Sequence, residues 1–162
     1  MLAEAAVRLL GASLPRVAAQ PADIDARSDA LYGAWLAAAF RAQVGVEHAI
    51  AQKVRQRYGL SHAGTHAVVV PYAIAFNRAA AKPAMERIER ALGVPDAGLG
   101  LYDLNVRLGI PLGLRDLGMK ESEIEAAADF VAATPIVNPR PVARADLLEL
   151  ITQAFHGAPP RF

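Results

Sequence analysis

Three of the four histidines in this chain, His48, His62 and His66, fall in one short stretch, and imidazole is the side chain that trades protons near neutral pH. His62 and His66 stand at i, i+4, a spacing that points both rings to one face of a helix. His48 and Gln52 repeat that spacing on the preceding segment. If the turn around residues 58–61 folds the two segments side by side, four nitrogen- or oxygen-bearing side chains converge. They lead into the most apolar run of the chain, residues 67–76, where an unpaired imidazole costs free energy. Two readings follow, a lined pocket or ordinary histidines bonded to backbone carbonyls. Metal chemistry would use His48 and His62 as donors, but no carboxylate stands at helical spacing to supply a third ligand, and Glu47 is rotated about 100° from His48 on a helix. No metal site complete within this chain is expected.

Those residues need elements to hold them, and the composition says which kind. Apolar residues make up 54% of the 162, aromatics only 6%, and alanine dominates, which suits closely packed helices. Valine clusters only at Val68, Val69 and Val70, and no series of alternating β-branched runs would build a sheet. The expected fold class is all-α, a bundle of about seven helices forming a single domain over 1–162. Proline and glycine punctuate it: a helix at 2–12, then Ser13 and Pro15 opening a short helix to about 19, and a core helix over 22–42 with Ile24, Leu31 and Trp35 on its buried stripe. Helices over 46–58, stopped by Gly59, and 62–78, capped by Ser61 and kinked at Pro71, are expected to pack antiparallel. Further helices are expected at 82–92, 97–108, 120–132 and 143–156.

A formal charge of +1 gives no field to draw nucleic acid or an anionic membrane, and the absence of cysteine excludes disulfides, thiolate nucleophiles and Cys-ligated metals. No run approaches the ~20 apolar residues of a membrane span. The expectation is a soluble, cytoplasmic protein that binds neither nucleic acid nor membrane.

Several stretches carry a resemblance. Gly45-Val46-Glu47-His48, then Ser61-His62-Ala63-Gly64-Thr65-His66 running into Val68-Val69-Val70-Pro71, and Ala75-Phe76-Asn77 look like the C-terminal helical domain of the iron-containing alcohol dehydrogenase superfamily. Within it the chain is most similar to maleylacetate reductases, with support from Ser13-Leu14-Pro15-Arg16, Leu114-Arg115-Asp116-Leu117-Gly118-Met119 and Asn138-Pro139-Arg140-Pro141-Val142. The resemblance implies an oxidoreductase acting on a small oxo-acid. It also implies a substrate half, truncated at its N-terminal side, since members carry an N-terminal nucleotide-binding domain with a Gly-rich turn and no G-x-G-x-x-G occurs here. NAD(P)H or a divalent metal would then bind only together with a partner, and no cofactor would bind this chain alone. In metal-dependent members an upstream aspartate and histidine join two later histidines, which match His48 and His62. Gln52 and Tyr72 stand where relatives often carry further histidines.

By the same resemblance Arg140 is a candidate to hold a substrate carboxylate, and Tyr72 and Gln52 to line the substrate site, with His48, His62 and His66 as the catalytic set. Trp35 is expected in the core and His156 at the surface. The alternatives are a stand-alone enzyme using the same histidines for tautomerisation, dehydration, decarboxylation or cyclisation, and a non-catalytic binding protein. Either a homodimer, paired through the helix at 1–12, or a separate nucleotide-binding chain is expected as partner.

Overall fold

The computed structural model describes every residue except 1, 41 and 42, and among the described residues all regular structure is helical. The bundle is all-α, as composition requires. Eight α-helices follow in order: α1 (Leu2–Ala19), α2 (Ile24–Ala38), α3 (Val46–Tyr58), α4 (His62–Asn77), α5 (Lys82–Leu92), α6 (Ala97–Leu108), α7 (Ile124–Ala132) and α8 (Arg144–His156). Two 3₁₀ turns, Leu114–Leu117 and Glu121–Glu123, lead into α7. Among the described residues no helix is long and apolar enough to cross a membrane.

The hinge between α3 and α4 forms because its residues satisfy both helix ends. Gly59 adopts φ 68°, the left-handed conformation that ends a helix without a Cβ penalty, and Ser61 turns its Oγ to accept from the Gly64 N–H at 3.3 Å. α4 then runs through Pro71 without interruption. The proline lacks the N–H that would bond the carbonyl four residues back, that of Ala67, and Asn105 of α6 supplies the missing donor at 2.7 Å. Gly98 permits this approach of α6: a Cβ there would sit 3.0 Å from Ala75 Cβ and 3.2 Å from the Pro71 carbonyl oxygen. The core lies where α3, α4, α7 and α8 meet, with Ile50, Val54, Val68, Val69, Val131 and Ile151 among its fully buried side chains.

Two expectations fail in the N-terminal part. The helix break at Ser13 is absent: α1 is continuous, and Ser13 is buried with its hydroxyl donating to the Leu9 carbonyl at 2.7 Å instead of capping a new helix. The apolar stripe of α2 faces outward, with Ile24 70%, Leu31 72% and Trp35 63% exposed. The reason is that the opposite face carries Ala26 and Gly33, which let α2 approach α1 until Gly33 lies against Leu9 and Leu10. Small residues won the interface. α2 also stops short of the expected 42: it ends at Ala38, with residues 39 and 40 in a turn and a bend, while residues 41 and 42 lie outside the described residues, as does Met1.

Candidate active site

α3 and α4 pack against each other, and their facing sides carry the histidines. His66 is the middle of the group, its ring centroid 5.4 Å from that of His48 and 4.6 Å from that of His62, the latter pair edge-on. The i, i+4 geometry thus places His62 and His66 together as the spacing requires, and the short hinge brings in His48.

Glu47 is the residue that the sequence reading set aside. Its Oε1 lies 2.7 Å from Nδ1 of His66, and both side chains are partly buried. Neighbouring positions on a helix diverge by about 100° at the backbone, but a glutamate has three rotatable bonds, and α4 lies close enough for the carboxylate to bend across. With Nδ1 held by Glu47, the other ring nitrogen of His66, Nε2, is buried without a hydrogen-bond partner. His62 is exposed at the start of α4, and its pKa is lowered from the usual 6.5, first by partial desolvation and then by the charges of Arg55, His66 and His48, against an opposing pull from Glu47.

The remaining candidates stand apart. Gln52 accepts from Arg55 Nε at 2.9 Å within α3. Tyr72 is fully buried, its hydroxyl donating to the Ala158 carbonyl at 2.8 Å, and burial pushes its phenol well above the ordinary value. Arg140 holds Asp146 at 2.8 Å and lies 4.1 Å above the Phe76 ring, beside a hollow with Arg78, Lys82 and Phe162. His156 is exposed, as expected. A cavity of ≈ 270 Å³ opens beside His48, lined also by Gly45, Ala49, Thr134, Ile136 and Val137. His62 and His66 do not line it.

What anchors the His48 end is Asn138. Its Oδ1 accepts from the Val46 N–H at 3.3 Å, capping α3 from another element, and from Asn77 Nδ2 at 3.1 Å, while its Nδ2 donates to Asn77 Oδ1 and to the Arg140 carbonyl, each at 2.7 Å. A Cβ on Gly45 would come within 3.1 Å of that Oδ1. Sequence reasoning had Asn138 only as part of a family stretch, because a cap supplied across the fold leaves no local pattern.

The model of the C-terminal part of the Fe-containing alcohol dehydrogenase family matches residues 1–155. The chain belongs to that family. Among its relatives, the maleylacetate reductase of Burkholderia cepacia is 45% identical over 162 residues, 99% of this chain and 46% of the relative, and that of Sphingobium indicum is 41% identical over the same shares. The solved maleylacetate reductase of Agrobacterium tumefaciens superposes with a TM-score of 0.94 at 34% identity, covering 99% of this chain and 46% of that one. The chain spans about half the length of the curated relatives it matches.

The metal that the family name implies meets a particular donor set here. Among the described residues, the His and acidic side chains whose ligating atoms lie within 4.8 Å of one another are Glu47, His48 and His66. His48 belongs to both this set and the pair that the resemblance implies; His62 belongs only to the latter.

Proposed function

We propose that the chain is the substrate-binding helical half of a maleylacetate reductase-like oxidoreductase that acts on a small oxo-acid. The observation that carries this reading is the gathering of His48, His62 and His66 on the α3–α4 hairpin of a chain aligned throughout with maleylacetate reductases. NAD(P)H, held by a nucleotide-binding partner, supplies the hydride. This chain's residues bind and orient the oxo-acid and move the proton: as charge builds on the substrate oxygen, an imidazole N–H of His48 or His62 stands ready to donate. His62 is the exposed one of the three and so the most accessible to substrate. Arg140 remains a candidate for the substrate carboxylate, which would have to compete with Asp146.

The test supplies the nucleotide-binding function in trans. The nucleotide-binding domain of a relative, mixed with this chain, is expected to oxidise NAD(P)H in the presence of maleylacetate, and His62→Ala or His48→Ala is expected to cut that rate by about 10²–10⁴-fold, the worth of a positioned acid–base group, with circular dichroism unchanged. Full activity in both variants would remove the reading. A second reading, acid–base chemistry without redox, is favoured by the fact that the Glu47–His66 pair and its neighbouring imidazoles all come from this chain. Turnover of an oxo-acid by the chain alone, with no nucleotide present, would decide for it.

A further inference from the structure

We propose that the hollow at the end of α4 is a binding site for the carboxylate of a small aromatic acid, separate from the histidine cluster. Its volume is ≈ 310 Å³, and it is lined by Phe76, Arg78, Lys82, Arg140 and Phe162, with alanines filling the rest and no acidic side chain among them. None of the histidines belongs to it, and Arg140 does not line the cavity beside His48. Small-molecule sites start at about 300 Å³, so a single ring with its acid group is what this hollow can enclose.

Cations from three places converge here. Arg78 follows α4 directly, Lys82 is the first residue of α5, and Arg140 comes from the loop before α8. Each arginine is held by a carboxylate that is itself committed to a helix cap. Asp96 accepts from Arg78 at 2.6 Å and from the Leu99 N–H of α6 at 2.9 Å, while Asp146 accepts from Arg140 and from the Ala143 N–H before α8, each at 2.8 Å. A guanidinium carries five N–H donors, and each of these two engages its acid through one nitrogen, which orients the group and leaves donors for a ligand. Lys82 supplies the uncompensated charge, since it joins no ion pair among the described residues. The first turn of α5 has no acidic residue, and Ala81 before it offers no side-chain cap, so the helix dipole and the ammonium group draw an anion to the same spot.

The apolar wall selects the body of that anion. Phe76 is buried beneath the Arg140 guanidinium, and Phe162 meets its ring edge-on at 5.7 Å while staying 45% exposed. A flat ring seated against Phe162, with its carboxylate toward Arg140 and Lys82, covers apolar area that otherwise faces water and adds an aromatic contact. Acetate would gain the charge alone, and an uncharged ring the burial alone.

The test is a two-dimensional amide NMR titration of the full chain with sodium benzoate at constant ionic strength. One benzoate per chain is expected, with a Kd below about 10 mM and shift changes centred on the amides of Arg78, Lys82 and Arg140. Acetate and benzyl alcohol are each expected to bind at least about tenfold more weakly. Lys82→Gln is expected to weaken benzoate by about tenfold, the worth of one charge-assisted hydrogen bond, and it leaves the fold intact because the side chain is exposed and holds no partner. Phe162→Ala is expected to weaken benzoate by about fivefold, and His62→Ala to change it by less than about twofold. Failure to saturate at that concentration would overturn the proposal, as would acetate binding as tightly as benzoate, which would reduce the hollow to a cationic surface. A Lys82→Gln chain that binds as the wild type does would also overturn it. So would His62→Ala weakening benzoate as much as Lys82→Gln, which would move the acid to the histidine cluster.

Discussion

His62 sits at an exposed helix start yet holds its proton less tightly than a free imidazole, first because it is partly desolvated and then because its neighbours include Arg55 and two further histidines. The direction has a measurable consequence. In a histidine-by-histidine NMR titration His62 is expected to show a midpoint below 6.5, and Arg55→Gln is expected to raise it by removing one repelling charge, while leaving part of the shift because desolvation is the larger cause. A midpoint unmoved by Arg55→Gln would show that guanidinium to be electrostatically irrelevant. The linkage has a definite sign: the folded state disfavours the imidazolium, so the stability tied to His62 is present above 6.5, declines as pH falls through that value, and is gone below the depressed folded midpoint. The three histidines were legible in the sequence because i, i+4 spacing fixes direction on a helix. Glu47 was not, since backbone angle alone does not locate the end of a long side chain.

Helices bounded by strong punctuation were legible almost to the residue: α3 ends at the expected Gly59, and α5 and α6 fall at the expected 82–92 and 97–108. Contacts that hold one helix end from a distant loop were not. Asn138 makes four hydrogen bonds that tie the start of α3, the end of α4 and the loop before α8 together. Asn138→Ala leaves the Val46 N–H and the Asn77 side chain without that partner, and the expected cost is about 2 kcal/mol, read as a lowered denaturant midpoint with an unchanged slope. Because α3 carries His48 two residues after Val46, the same variant is expected to broaden the His48 resonance more than that of His156. Trp35 belongs at this scale too. Its stripe was visible in the sequence, but amphipathic period identifies a pair of opposed faces and not which one packs when the other is lined by Ala26 and Gly33. Trp35→Ser is therefore expected to change stability by less than about 0.5 kcal/mol, whereas a core tryptophan would cost several. A large loss in thermal unfolding would return Trp35 to the interior.

At the scale of the whole molecule the packing is uneven. α4 touches α3, α6 and α8 and buries seven residues, whereas α2 packs chiefly on α1 and buries only Ala26, Gly33 and Leu36, two of them small. Local opening free energy follows buried apolar contact, so α2 has little to hold it beyond α1, and α1 reaches the rest of the bundle through α5 and α6. Native-state hydrogen exchange is expected to rank the elements accordingly: amides of α2 exchange first and by local opening, at rates nearly independent of denaturant, while those of α4 exchange last and only with global unfolding. The experiment also bears on the partner question. Ile24, Leu31, Tyr32 and Trp35 lie exposed on α2 with Tyr32 and Trp35 stacked at 5.8 Å, a surface whose burial would add protection to the very amides that are otherwise weakest. Exchange from α2 that slows as protein concentration rises would place a second copy over that face, in contrast to the sequence expectation of pairing through residues 1–12. Fast exchange at every concentration would leave α2 uncovered in the isolated chain.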